Sequence, residues 1–306
     1  MKHQLVPKLM AVLLALTSFA HAEEFRLVVP FGPGSQSDAA ARAVIQTFER
    51  NTGHNVVVET IPGADSIIGI NHWKSTQADL IWLGPGPLVY NVVLKKDLPY
   101  NADTDFDHLI YVGTTPFYYI VNSASKIQGP KDIVVKNNGF AGVNTSVGTA
   151  NVSALNHDQK TKIQPVPFKG SPEVIMAVAN GTVDLAVIGI TASVVELARA
   201  GKISIVGTTH RESVTIDGQR VPSVSQQTGI PQFSGFFAIA ARPGMDARRL
   251  AILRQGLWAA VQDSETQEKL RRLFVFADSS NDVRQITNFY QELRTRYRKF
   301  EKTNVE

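Results

Sequence analysis

Apolar positions along the chain fall into two periods. Short β-branched runs recur at Phe25-Arg-Leu-Val-Val-Pro30, Asn55-Val-Val-Val-Glu59, Asp79-Leu-Ile-Trp-Leu83, Phe140-Ala-Gly-Val143 and Val183-Asp-Leu-Ala-Val-Ile188, and each predicts a buried strand. Between them the spacing changes to three and four. Ala41, Val44, Ile45 and Phe48 predict a helix capped by Ser37 or Asp38, and Ala192 to Ala200 a second one, stopped by Gly201. Asp246 opens a helix with Leu250, Leu253 and Leu257 on one face, and Val283, Ile286, Phe289, Tyr290 and Leu293 mark the last helix. Strands alternating with amphipathic helices through short connections predict an α/β fold with parallel-rich sheets and right-handed crossovers.

Most strand runs end in turn formers: Phe31-Gly-Pro-Gly-Ser-Gln-Ser-Asp38, Gly84-Pro-Gly-Pro87, Asn144-Thr-Ser-Val-Gly-Thr149 and Gly189-Ile-Thr191. Two apolar stretches, Phe117-Tyr-Tyr-Ile-Val121 and Ser234-Gly-Phe-Phe-Ala-Ile239, are read as extended crossings between two domains. The first domain is expected over residues 23–120 and 235–306, the second over 121–234. Thr208 to Gln232 is polar, contains Pro222 and Pro231, and reads as a surface connection.

Composition narrows the setting. With 43% hydrophobic and 19% charged residues the chain is globular, and its lack of cysteine excludes disulfides, thiolate metal sites and cysteine nucleophiles. Lys2, His3 and Lys8 precede the apolar run Leu9 to Phe19, and Ala20-His21-Ala22 supplies a small-x-small cleavage site. Residues 1–22 therefore read as a secretory signal peptide, too short in its apolar run to span a bilayer, and the mature product is expected in the periplasm. The net charge is only +4, and Lys2 and Lys8 leave with the leader, so nucleic acid is not an expected partner.

Several local patterns tempt a chemistry and fail on spacing. Gly32-x-Gly34-x-x-Ser37, followed by Glu59, lacks the third glycine of a dinucleotide loop. Asp97, Asp103, Asp105, Asp107 and His108 lack the glycine and glutamate of a calcium loop and read as a solvated connector. His54, His72, His157 and His210 show no zinc spacing, no G-x-S-x-G elbow exists, and the basic last helix, with Arg294, Arg296 and Arg298, reads as a solvated face. No cofactor or metal is expected. What remains is a supply of backbone N–H and hydroxyl donors at three helix starts: Gly34 to Ser37, Thr145 to Thr149, and Gly170-Ser171 ahead of Pro172. Such starts accept anions without needing lysine or arginine.

Phe25 to Asp38 resembles the strand-and-loop signature of the Bug-type substrate-binding receptors of tripartite tricarboxylate transporters. Further matches follow in family order: Val57-Val-Glu59 with Pro62-Gly-Ala64, Leu98-Pro-Tyr100 with Asp105-Phe106, Pro167-Phe-Lys-Gly170, Gly181-x-Val-Asp184, Ala200-Gly-Lys202 and Val221-Pro-Ser223. The resemblance implies a two-domain periplasmic binding protein of Venus-flytrap form (type II). It would capture a small carboxylate between its domains and deliver it to integral membrane subunits, with no enzymatic activity and as a monomer. It also implies that the loops matching Pro30 to Asp38 and Gly142 to Thr149 approach the ligand through backbone groups.

The resulting site comprises Phe31, Gly34, Ser35, Gln36, Ser37, Asp38, Trp82, Gly84, Thr145, Ser146, Gly148, Thr149, Phe168, Gly170, Ser171, Asp184 and Thr191. The Gly34 N–H is expected to donate to the ligand, Trp82 and Phe168 to form apolar walls, and Asp38 to cap the helix and organise its loop. The chain departs from the family at Ser35, at Asp65-Ser66-Ile67 where Gly-Gly-Asn is usual, at Val152 in place of histidine and at Ile188 in place of aspartate. These changes are expected to leave a greasier rim and to disfavour amino-acid ligands, whose ammonium would want the missing aspartate. Two alternatives stand beside uptake: an exported lyase or isomerase using Asp38 and Asp184 as acid and base, and a receptor that reports to a membrane sensor kinase.

Overall fold

The structure is a computed structural model that describes residues 22–136, 138–159 and 161–301, so the expected leader lies outside the described residues except for Ala22. β1 (Glu24–Val29), α1 (Gln36–Thr52), β2 (Asn55–Thr60), α2 (Ile67–Thr76) and β3 (Leu80–Leu83) wind a parallel unit. A π-type turn, Gly86–Tyr90, runs into the single-turn α3 (Asn91–Leu94), and β4 (Asp107–Thr115) follows. After Pro116 the chain enters a second sheet with β5 (Phe117–Asn122), α4 (Pro130–Lys136), β6 (Asn138–Val143), α5 (Ser146–Gln159), β7 (Lys162–Pro167), α6 (Ser171–Ala179), β8 (Leu185–Gly189), α7 (Ala192–Arg199) and β9 (Ile203–Thr208). The hairpin β10 (Val214–Ile216) and β11 (Gln219–Val221) and the short α8 (Val224–Thr228) lead back to β12 (Gly235–Ala241) in the first sheet. Helices α9 (Ala247–Gln262), α10 (Ser264–Arg272) and α11 (Val283–Glu301) complete the chain.

The two sheets share one topology. Their strand orders are β2-β1-β3-β12-β4 and β7-β6-β8-β5-β9. In each, the strand antiparallel to its neighbours is the first one after a crossing, β12 in one and β5 in the other. The expected crossings therefore become sheet strands, and the turns of direction fall just before them, at Pro116 and at residues 232–234. The other strands of each sheet run parallel and end at the space between the sheets, where α/β folds bind ligands.

Strand alternation builds three cores. Leu27, Val29, Leu80, Trp82 and Ile239 meet α1 and α9 on one face of the first sheet. Val28, Ile81, Leu83, Ala238 and Ala240 point the other way into a core that continues through the π-type turn, α11 and α5 to Val143 and Val187 of the second sheet. Tyr118, Ile120, Ala186 and Ile188 close a third core under α6 and the hairpin. Packing is close where α9 crosses α1, since a Cβ on Gly256 would lie 2.5 Å from the Phe48 ring.

Some local expectations are corrected. Helix α1 starts earlier than its apolar stripe, capped by Ser35, whose Oγ accepts the Asp38 N–H at 3.2 Å. The turn at residues 84–87 is helical from Gly86 onward, and the 208–232 connection contains a hairpin and a helix. Helix α11 is a solvated basic face only in part: Arg296, Arg298 and Lys299 are exposed, Arg296 over the Phe233 ring, whereas Arg294 is buried, donating to the Leu88 carbonyl at 2.6 Å and pairing with Asp103. The acidic connector is likewise used in ion pairs, Asp105 with Lys74 and Asp107 with Arg254. Among the described residues no cluster could hold a metal ion, and no helix is long and apolar enough to cross a membrane.

Candidate functional site

Between the two sheets lies a cavity of about 530 Å³. Five helix starts converge on it. Ser35, Gln36 and Ser37 open α1; Asp65 and Ser66 precede α2; Thr145, Ser146 and Val147 open α5; Ser171 and Pro172 open α6; Thr191 caps α7. Each start carries N–H groups without intrahelical partners and the positive end of a helix dipole. Among the residues that line the cavity there is no lysine, arginine or histidine, and the one formally charged side chain is Asp65.

At α1 the loop is already braced from within. The Gly34 N–H donates to Asp38 Oδ2 at 2.9 Å, and Arg42 holds the other oxygen at 2.8 Å. Asp38 thus braces the loop, but the helix cap is Ser35, and Asp38, counted among the expected site residues, stands outside the cavity lining. This corrects one assignment: the Gly34 N–H is committed to Asp38, and the groups left for a ligand are the N–H of Gln36 and Ser37. Gly34 itself is needed for its backbone, at φ +72°. The Gln36 side chain donates to the Leu273 carbonyl at 2.5 Å. The Ser37 hydroxyl is different: Ser37 is only 4% exposed and its Oγ has no hydrogen-bond partner. A buried hydroxyl without a partner is costly unless something else supplies one.

Across the cavity, Asn144 Nδ2 donates to Ser171 Oγ at 2.9 Å while its Oδ1 is enclosed and unpartnered. The Ser146 hydroxyl donates to Asp65 Oδ2 at 3.2 Å, a bond that joins the two halves of the molecule. Asp65 keeps water contact at the mouth, but the walls crowd it, and this loss of hydration pushes its carboxyl above the ordinary range against the opposing pulls of Ser146 and Lys95. Phe31, Phe117, Phe236 and Phe237 supply the apolar wall.

Ten of the expected residues meet in this cavity: Phe31, Gly34, Ser35, Gln36, Ser37, Gly84, Thr145, Ser146, Ser171 and Thr191. The others lie elsewhere for identifiable reasons. Trp82 is fully buried against Phe237 in the core, because β3 is covered on both faces. Gly148 lets α5 lie on β8, where a Cβ would come 2.5 Å from the Val187 carbonyl. The Thr149 hydroxyl turns back to the Thr145 carbonyl, Phe168 packs on the core under α6, and Gly170 stands one residue outside the lining as the α6 cap. Asp184 precedes β8, at the far end of that strand from the cavity, where it accepts the Phe140 N–H and pairs with Lys136 at 2.9 Å. Asp38 and Asp184 therefore do not share a cleft, and the acid–base pair of the lyase alternative is not assembled.

The site expected from sequence left out Asp65, Thr115, Phe117, Phe236 and Phe237, and took in Asn144 only as part of the loop 142–149. The aromatic residues stand where the chain crosses between sheets, and reading those runs as linkers hid that their ends face the cavity.

Residues 40–303 match the tripartite tricarboxylate transporter family receptor, TctC. The chain belongs to this family. It is 25% identical over 260 residues to the protein BugT of Bordetella pertussis, covering 81% of this chain and 79% of that one. A UPF0065 protein of the same organism is 28% identical over 257 residues, with 78% and 79% covered. Among solved structures, a Rhodopseudomonas palustris protein with adipate superposes with TM-score 0.78 at 22% identity, covering 93% of this chain and 98% of that one. The malate-bound MatC of Rhodopseudomonas palustris gives TM-score 0.74 at 20% identity, covering 91% and 98%. The shared fold is the two-domain periplasmic binding protein of the TctC and Bug receptors.

Proposed function

We propose that this TctC-family receptor captures a small organic carboxylate in the cavity between its lobes and presents it to the integral membrane subunits of a tripartite tricarboxylate-type transporter, working as a periplasmic monomer. The observation that carries the reading is the convergence of helix starts on one cavity that also holds the unpartnered, buried Ser37 hydroxyl. A carboxylate there would accept from the Gln36 and Ser37 N–H groups and the Ser37 hydroxyl on one side, and from the α5 and α6 starts on the other. The malate and adipate held by two structural neighbours support the carboxylate class. The lobes would turn about Pro116 and residues 232–234, where the chain crosses from one sheet to the other.

A thermal-shift screen of mono-, di- and tricarboxylates tests this. A true ligand at 100 times its dissociation constant stabilises the native state by about 2.7 kcal/mol. If no carboxylate raises the melting temperature, the reading fails. Turnover of a bound acid would point instead to an enzyme.

A further inference from the structure

Ahead of α2 the chain carries an acidic side chain, Asp65, on a left-handed backbone, and the structure places it in the cavity lining. Gly63, Ala64, Asp65 and Ser66 all have positive φ, the last three at 47°, 52° and 75°. Such a run would suit glycine, and a side chain held there against its conformational preference is sustained by what surrounds it. For Asp65 the surroundings are specific. Its backbone carbonyl accepts from Asn91 Nδ2 at 3.0 Å, and Oδ2 accepts from Ser146 of the opposite lobe. Oδ1 lies against Gly86, where a Cβ would come within 2.6 Å of it, so the absence of a side chain at 86 makes its room. No donor within the described residues reaches Oδ1.

A ligand carboxylate held by the helix starts would thus share one cavity of about 530 Å³ with a second carboxylate. No cationic side chain lines the cavity, and the pull of Lys95 on Asp65 from outside the lining is outweighed by the crowding that disfavours the Asp65 charge. A dicarboxylate would bring a third negative group into that space, at a repulsion that grows as the lobes close and water leaves. A protonated amine on the ligand removes the conflict, since it donates to the free Oδ1 and cancels the charge.

Resting on the carboxylate-receptor reading, we propose that Asp65 is a specificity-determining residue, and that the ligand is a carboxylate bearing a protonated amine which Asp65 accepts at the cleft wall. This reverses the expectation that amino-acid ligands are disfavoured, which was drawn from Ile188. Ile188 is fully buried in the core under α6 and does not line the cavity, so it has no bearing on an ammonium there. Crowding of the Asp65 carboxyl, which already disfavours its charge, adds to the gain from a cationic partner.

Titration calorimetry near neutral pH on matched pairs tests the proposal: aspartate against succinate, glutamate against glutarate, γ-aminobutyrate against butyrate and ε-aminocaproate against caproate. The wild-type protein is expected to prefer the amino member of at least one pair by about ten- to hundredfold, the range of one charge-assisted hydrogen bond. Asp65→Asn and Asp65→Gly suit the left-handed backbone, so both are expected to fold; each should abolish the preference by weakening the amino acid and leaving or improving its deaminated counterpart. Wild-type preference for the deaminated member in every pair would overturn the proposal while leaving the receptor reading intact. So would an unchanged ratio in the two variants. Failure of every acid, amino or not, to bind the wild type would overturn both.

Discussion

Ala64 is the residue at which backbone strain and function separate. It shares the left-handed run with Asp65, but its side chain does not line the cavity. Replacing it by glycine removes a left-handed cost of about 1 kcal/mol, offset in part by the freer unfolded chain. Ala64→Gly is expected to raise stability in chemical denaturation by up to that amount and to leave ligand affinity unchanged. Ser37 makes the complementary case. Its hydroxyl is buried with no partner in the protein, so Ser37→Ala should leave the unliganded protein as stable as before or slightly more so, while weakening ligand by about 0.5 to 1.5 kcal/mol. Calorimetry and thermal unfolding of the same variant check both halves. At this scale the sequence is only partly legible. Turn chemistry exposed the loop 31–38 and the organising part of Asp38. That the Gly34 N–H is spent on Asp38, and that Ser37 keeps a hydroxyl free, depends on hydrogen-bond geometry that no spacing reveals.

Helix α11 shows what patterning reads well and what it hides. Its apolar stripe is visible in Ile286, Tyr290 and Leu293, all buried. The fate of its arginines is not, because a long side chain can leave a polar face and reach a buried carbonyl, as Arg294 does to Leu88. The same packing encloses His108 on β4 beside the Tyr290 ring, with centroids 5.1 Å apart. Burial, assisted by the nearby Arg294 charge and opposed by Asp103, pushes the His108 pKa down to about 4 from its ordinary 6.5. Between those values the unfolded chain binds a proton that the folded chain refuses. Stability contributed by neutral His108 is therefore present above about pH 6.5 and is lost as pH falls towards 4, at up to about 1.4 kcal/mol per pH unit. Urea denaturation across this window should show the slope, and His108→Gln should flatten it. A slope unchanged in the variant would assign the effect to other groups.

For the whole molecule, alternation of strand and helix made the α/β class and the two-lobed build readable, since both follow from local periods and chain length. The return of residues 235 onward to the first lobe was expected, but strand order was not readable: β12 enters antiparallel between β3 and β4. The cavity aromatics were missed with it. If the lobes turn about the two crossings, ligand should draw them together, and the Asp65–Ser146 bond is a contact that already spans the cavity mouth. Small-angle scattering with a saturating ligand is expected to show a smaller radius of gyration; no compaction would rule out the hinge.

That none of the described residues lining the cavity is cationic has a kinetic corollary. An anion held by helix ends feels a dipolar field, which decays more steeply with distance than that of a lysine or arginine and gathers little ligand from the bulk. Encounter is then left to diffusion, without the steering that makes many anion-binding proteins sensitive to salt. Stopped-flow association rates should stay within about a factor of two from low to high ionic strength, where a steered site changes tenfold or more. Such a receptor would keep its capture rate when the ionic strength around it rises or falls.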